Sequence, residues 1–245
     1  MKFLRNTSTD PHFNMSFDEY CLQRLPSDDD VFYLWQNRPS VIIGHNQIAA
    51  REVNISFIES RGIVLARRVT GGGAVYHDLQ NLNYSIVGRK PDIGVIVEAL
   101  HSLGVPAELT GRNDIFVEGR KVSGFARSVY HQRELIHGTL MYDVDIDTLT
   151  RALDTPQSKL NRKGVASVRS RVANLKDYLP GIDTIMQFRD RLHSILACGD
   201  EELLLAPEAL DAIERRRAEK FAAPEWIYGA TRTQSPESPL LSQKL

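Results

Sequence analysis

The chain has 245 residues, 42% of them hydrophobic and 25% charged, with a formal net charge of −1. That length carries one large domain or two small ones around a substantial core, and the near-neutral balance excludes bulk electrostatic attraction to nucleic acid or an anionic membrane. The two cysteines, Cys21 and Cys198, lie far apart in no zinc, redox-pair or disulfide spacing, residues 1–11 hold no apolar signal core, and no run of about 18 apolar residues occurs. A cytoplasmic location is expected.

In chain order, Ser16-Phe17-Asp18-Glu19 has the form of a capping box, and Phe17, Cys21 and Leu25 share one helical face, so a helix is predicted over 17–24 with Cys21 in the core. The apolar runs 31–35 and 41–44 flank the turn cluster Asn37-Arg38-Pro39-Ser40 and read as a hairpin. A short helix over 56–61 ends at Gly62, a strand over 63–66 delivers Arg67-Arg68 and Gly71-Gly72-Gly73, and β character resumes over 82–87. The glycines therefore belong to a loop or bulge between strands. Ile96, Ala99, Leu100 and Leu103 keep helical period up to Gly104.

Residues 115–117, 121–130 and 135–142 read as a three-stranded meander, with turns at Glu118-Gly119 and His131-Gln132. A short helix over 145–153 precedes a long connection, 155–175, that carries Lys159, Arg162, Lys163, Arg169 and Arg171 and no acidic residue. A connection that long and that basic predicts a functional loop. Helices over 184–196 and 207–221 follow, the second with Pro207 in its first turn, and residues 230–245 read as a disordered tail. The fold class is α+β, with mixed, mostly antiparallel sheets flanked by helices, and residues 1–229 forming the folded unit.

Three consecutive glycines make a poor strand and a worse helix, so the segment offers bare backbone, either to a phosphate or acyl chain or to a strand crossing close by. The adjoining Arg68 and Thr70 favour a site, although neither Walker nor Rossmann glycine spacing is present. Lys121 is a solvated edge lysine in one reading; in the other its ammonium neutralises charge where a carboxylate attacks a nucleotide. His77 and His137 are candidate acid-base groups or buried structural histidines, and Asp114 either holds a magnesium ion or caps a strand. No triad or zinc spacing is seen.

Taken together, Arg67-Arg68-Val69-Thr70-Gly71-Gly72-Gly73-Ala74-Val75-Tyr76-His77-Asp78, Gly111-Arg112-Asn113-Asp114, Arg120-Lys121-Val122-Ser123-Gly124, His137-Gly138-Thr139-Leu140 and the segment from Ser167 to Leu175 resemble the lipoate-protein ligase A family. With Asn14, Trp35 and Gly44 they extend over nearly all of residues 1–229. The resemblance implies the catalytic-domain fold shared by biotin- and lipoate-protein ligases. It implies that lipoate and ATP, with Mg2+, give lipoyl-AMP, and that the lipoyl group passes to a lysine of an apo lipoyl domain, in 2-oxoacid dehydrogenases or the glycine cleavage H protein. No tightly bound prosthetic group, nucleic acid or membrane is implied.

By the same resemblance Lys121 is the catalytic lysine touching both lipoyl carbonyl and phosphate. Arg68, Gly73, Ala74, Val75 and Tyr76 line the nucleotide, Gly71, Gly72, Gly73 and His137 line the lipoyl chain, and 159–171 covers the adenylate. Two departures stand out: Gly44-His45 occupies the place of a frequent Gly-Arg, and the chain stops soon after Gly229, where full-length ligases continue into a small accessory domain. The alternatives are therefore a transferase of preformed lipoyl-AMP, a ligase needing a separate accessory-domain polypeptide, an octanoyl or lipoyl acyltransferase using a cysteine, and a non-catalytic acyl-binding protein.

Overall fold

The computed structural model describes residues 1–25, 30–111, 113–153, 171–197, 199 and 201–229. The predicted tail, Cys198 and the basic connection up to residue 170 lie outside them.

A seven-stranded sheet runs in the order β1 (Lys2–Phe3), β2 (Val31–Trp35), β6 (Asn81–Gly88), β10 (Arg133–Met141), β9 (Arg120–Tyr130), β8 (Asp114–Val117) and β7 (Ala107–Thr110). Only the β1–β2 pairing is parallel. A second sheet, β4 (Val64–Arg67), β3 (Ser40–Ile43) and β5 (Val75–His77), has a parallel β3–β4 pair and an antiparallel β3–β5 pair. The α+β expectation and the meander β8–β9–β10 are both realised. The hairpin expectation is corrected: β2 and β3 belong to different sheets. Their connector is pinned by the buried Asn14 amide, which donates to Gln36 O at 2.9 Å and Asn37 Oδ1 at 2.7 Å, so the chain leaves one sheet for the other.

Helix α1 (Pro11–Arg24) begins earlier than the capping box suggested. Asp10 caps it, accepting from His12 N at 3.0 Å, and Pro11 takes a first-turn place where its missing N–H costs nothing. Ser16 is buried inside the helix and donates to Ile213 O at 2.7 Å. Helices α2 (Gly94–Ser102) and Ile185–Leu196 cover the opposite face of the large sheet. The second carries a true capping box, Thr184 with Gln187.

The alternation on β6 decides where the site lies. Leu82, Tyr84 and Ile86 join the core under α2, whereas Asn81, Asn83 and Ser85 face the other way and are equally buried. A strand buried on both faces normally reads as continuous apolar sequence, so a row of buried polar side chains needs polar partners or a ligand. That face is covered by α1 and the small sheet.

Residues 201–229 pack back on this body. Ile213 and Phe221 join the α1 core, and Arg216 and Lys220 pair with Glu19 at 2.6 Å each. Arg67 donates to Trp226 O at 2.8 Å, Ile227 O at 2.8 Å, Gly44 O at 3.0 Å and His45 O at 2.7 Å. With all three guanidinium nitrogens bonded to carbonyls, Arg67 is a structural clamp.

Candidate active site

Between the two sheets lies a cavity of about 360 Å³. Its floor is one row across the large sheet: Gly124 N donates to Thr139 Oγ1 at 3.2 Å, Thr139 pairs with Asn83, and Asn83 pairs with Trp35. Three interstrand steps of about 4.8 Å make this row about 14 Å long. Its roof is Ile42, Arg68, Gly72, Gly73, Ala74, Val75 and His77. At the Gly124 end the floor has no room for a side chain, since a Cβ there would lie 2.9 Å from Lys121 Nζ; at Gly138 the crowding is on the opposite face, where a Cβ would lie 2.4 Å from Tyr84 Oη.

Lys121 marks the Gly124 end. Its ammonium pairs with Asp114 at 2.8 Å, and both side chains are about one-third exposed (35% and 36%). Its backbone is tied to the far end of the basic connection: Lys121 N donates to Arg171 O at 2.8 Å and Ala173 N donates to Lys121 O at 2.9 Å. The basic connection therefore ends, at Arg171, beside the lysine expected to be catalytic. Asp114 belongs to no cluster of three His, Cys, Asp or Glu side chains among the described residues.

Arg68 is 6% exposed. It donates to Gly71 O and Gly73 O at 2.7 Å each, to Ile42 O at 3.0 Å and to Thr70 Oγ1 at 2.9 Å, so its guanidinium builds the glycine loop. No carboxylate touches it among the described residues, and burial brings its pKa down to about 10. The result is a desolvated positive charge in the cavity wall, which favours an anion there.

A chain of donors runs away from that charge. Thr70 Oγ1 lies 2.7 Å from His137 Nε2, and His137 Nδ1 lies 2.6 Å from Asp18 Oδ2. Asp18 Oδ1 accepts from Tyr33 Oη at 2.6 Å and Ser85 Oγ at 2.8 Å, and Ser85 accepts from Trp35 Nε1 at 2.9 Å. Asp18, His137 and Thr70 thus have the connectivity of a hydroxyl triad. Thr70 is 1% exposed and its oxygen is occupied by Arg68, so the network fixes the loop rather than supplying a nucleophile. Sequence spacing could not reveal it, since the three residues come from a helix, a loop and a strand.

The structure brings Arg68, Gly72, Gly73, Ala74, Val75, Asp114, Lys121 and His137 to one cavity. Gly71 is outside its lining, and the Tyr76 side chain is buried in the core on the opposite side of β5 with Val41 and Ile43. His137 has both ring nitrogens engaged, so it offers the cavity ring surface only. Trp35, Asn83, Phe125 and Thr139 line it as well; the polar side of β6 was the signal for Asn83. His45 is exposed and bonds to Asn46. Cys21 is fully buried, and burial with the charge of Asp18 pushes its thiol far up, away from thiolate chemistry.

Gly44 sets the height of the roof. A Cβ there would lie 2.3 Å from Gly72 O, and His45 N donates to Thr70 O at 2.8 Å, so the glycine loop rests on the backbone of residues 44–45. Gly44→Ala should cost about 1–3 kcal/mol in thermal unfolding through overpacking and lower turnover about 10²-fold by displacing the loop. Gly71→Ala, where a Cβ meets nothing within 4 Å, should melt like the parent. Equal behaviour of the two variants would contradict the packing argument.

Burial, with the nearby charges of Arg68 and His137, lowers His77 to about 3 from an ordinary 6.5. The unfolded chain takes up this proton near 6.5 and the folded one only near 3, so stability from the neutral ring is complete above 6.5 and is lost as pH falls towards 3. Chemical denaturation across this window should lose about 1.4 kcal/mol per pH unit for that one proton. His12 and His193 are lowered too, burial first among the causes, and add to the slope. His77→Phe should remove one proton's share, and an unaltered slope would contradict the assignment.

Residues 10–197 match the lipoyl protein ligase A/B catalytic domain. The chain belongs to that family. It is similar to lipoate-protein ligase LplJ of Bacillus subtilis, 39% identical over 244 residues that cover 94% of this chain and 74% of that one. Among lipoyl protein ligase structures, it superposes on a bi-partite lipoate protein ligase from Thermoplasma acidophilum with a TM-score of 0.82 and 28% identity, covering 93% of this chain and 96% of that one. A lipoate-protein ligase A bound with ATP gives a TM-score of 0.79 at 28% identity, covering 93% and 98% of the two chains. No helix among the described residues is long and apolar enough to cross a membrane.

Proposed function

We propose that this protein is an ATP-dependent lipoate-protein ligase. Residues 1–229 act as its catalytic domain. Lipoate's carboxylate attacks the α-phosphorus of ATP, forming lipoyl-AMP and releasing pyrophosphate. An acceptor lysine amine then attacks the lipoyl carbonyl, forming the amide and releasing AMP.

The observation that carries this reading is the cavity itself: a channel about 14 Å long, with Asn83 and Thr139 in its floor, Trp35, Ile42, Val75 and Phe125 among its apolar walls, the Lys121 ammonium at one end and the buried Arg68 charge in its wall. Lys121 would leave Asp114 to stabilise negative charge building on the carbonyl and phosphoryl oxygens. Arg68 would hold the glycine loop and supply positive potential to the phosphate, while Gly73, Ala74, Val75 and the backbone at Tyr76 line the nucleotide. Gly71, Gly72 and the His137 ring would flank the acyl chain. Asp114 fits a Mg2+ carried by the triphosphate, since magnesium commonly takes one or two protein carboxylates and completes its shell with phosphate and water. The basic connection would cover the mixed anhydride and keep water from it.

A lipoyl domain is the acceptor class that the Thermoplasma ligase, described with its E2 lipoyl domain, supports. Apo lipoyl domains of 2-oxoacid dehydrogenases and the glycine cleavage H protein are the acceptors we propose. That relative is bi-partite, which supports a second reading in which a separate accessory-domain polypeptide takes part in adenylation. Transfer through a cysteine thioester is disfavoured for Cys21, which is buried away from the cavity.

Incubation with ATP, Mg2+, lipoate and an apo lipoyl domain should raise the acceptor's mass by one lipoyl group. Failure with ATP but success with synthetic lipoyl-AMP would favour the partner-dependent or transferase form. Failure with both would overturn the proposal.

A further inference from the structure

Two buried charges of opposite sign are joined in this protein by two neutral side chains instead of touching. Asp18 on α1 and Arg68 in the cavity wall are both buried. Among the described residues no lysine or arginine pairs with Asp18, and no carboxylate pairs with Arg68. Between them Asp18 Oδ2 lies 2.6 Å from His137 Nδ1, His137 Nε2 lies 2.7 Å from Thr70 Oγ1, and Arg68 Nε donates to Thr70 Oγ1 at 2.9 Å. Sheet register builds the link. His137 on β10 stands opposite Ser85 on β6, and both side chains bond to the Asp18 carboxylate that α1 brings to that face.

The direction of each bond follows from what each group can give. Asp18 Oδ1 accepts from Tyr33 Oη and Ser85 Oγ, and an ionised carboxylate accepts at Oδ2 as well, so His137 carries its proton at Nδ1. The ring is then an acceptor at Nε2 and takes the Thr70 hydroxyl hydrogen, which leaves the Thr70 lone pairs for Arg68 Nε–H. Every donor in this chain has an acceptor, and each step depends on the one before it. The other tautomer would aim Nε2–H at an oxygen that already accepts from Arg68, and would strand the Thr70 hydrogen.

A direct contact between Asp18 and Arg68 would hold the arginine as firmly. It would also cancel, at close range, the positive potential that the wall offers to a phosphate. Two interposed neutral side chains hold the guanidinium and leave that potential to the cavity. From this geometry we infer that Asp18 is a positioning residue for the acyl-adenylate chemistry. By fixing the tautomer of His137 it directs the Thr70 hydroxyl and, through it, sets Arg68 against the phosphate. The inference rests on the ligase reading above.

Asp18→Asn isolates this branch, because the amide oxygen still accepts from Tyr33 and Ser85 while the amide nitrogen meets His137 with a donor. The assay is lipoyl transfer from preformed lipoyl-AMP to an apo lipoyl domain, expressed per folded molecule with the folded fraction taken from a thermal melt. Asp18→Asn and Thr70→Val should each lower kcat/KM about tenfold. The double variant should lose about tenfold as well, against about 10²-fold for independent sites, and Thr70→Ser should restore what Thr70→Val loses. Unchanged kcat/KM per folded molecule in Asp18→Asn, or multiplied losses in the double variant, would overturn the inference while the ligase reading stands. A parent protein that transfers nothing would remove the ligase reading and the inference with it.

A second measurement does not depend on whether Asp18→Asn folds. In unmodified protein with 15N-labelled histidine, at about pH 8, above the range where an ordinary imidazole takes a second proton, the His137 nitrogens are identified by their loss in His137→Gln. Their shifts should report the Nδ1-protonated tautomer. A ring protonated at Nε2, or at both nitrogens, would overturn the inference.

Discussion

Lys121→Ala should abolish lipoyl-AMP formation, lowering it by about 10³-fold while leaving the fold intact. The size follows from removing one charged donor aimed at oxygen atoms that gain charge in the transition state, which costs about 10²–10³ in similar sites. The small effect on folding follows from the geometry of the resting pair. Lys121 and Asp114 are each about one-third exposed (35% and 36%), and an ion pair of that kind stabilises by about 0–1 kcal/mol. Chromatographic detection of lipoyl-AMP, run beside a thermal melt, separates the two effects. Lys121→Arg should not restore activity, because a planar guanidinium cannot take the place of a compact ammonium above Gly124. Adenylate formation within tenfold of the parent would remove Lys121 from the chemistry.

Arg68→Ala should damage both activity and stability. The guanidinium bonds to Gly71 O, Gly73 O, Ile42 O and Thr70 Oγ1, so truncation leaves several buried acceptors without donors. Relief of a desolvated charge offsets part of that loss, and a net cost of about 2 kcal/mol is expected. For a chain of this size that lowers the melting temperature by about 4–8 °C. Adenylate formation should fall by at least about 10²-fold, since the loop and the positive potential go together. Arg67→Ala supplies the contrast. Its donors hold the 224–228 helix and the 44–47 turn, so it should lower stability with a smaller effect on the chemistry per molecule folded. Equal loss of turnover per folded molecule in both variants would contradict the division of roles.

That division was invisible in the sequence, where Arg67-Arg68 reads as one paired cation. Successive residues at the end of a strand point to opposite faces, so one arginine reached the 224–228 helix and the other the cavity. The glycine loop and the basic connection were legible because each was local, a run of bare backbone and a stretch without acids; the pattern around Lys121 left an edge lysine as one reading, and the return of the connection beside it at Arg171 is a tertiary contact that no local signal carries. The cage around Asp18 was not, because its members Thr70, His137, Tyr33 and Ser85 meet only through sheet pairing and the packing of α1. The same limit explains the hairpin error, since a turn cluster signals a reversal but not which sheet receives the next strand. Ser16 mimics a cap and points to a start inside α1, while Asp10-Pro11 is the stronger start.

The account stands on the claim that one cavity between the two sheets holds an acyl-adenylate and delivers its acyl group to a lysine. Intact-mass analysis of an apo lipoyl domain, incubated with this protein and synthetic lipoyl-AMP, tests that claim without requiring adenylation. The account predicts one lipoyl group added by the unmodified protein and none by Lys121→Ala beyond the uncatalysed background. An acceptor left unmodified by the parent protein, or modified equally by both, would contradict it.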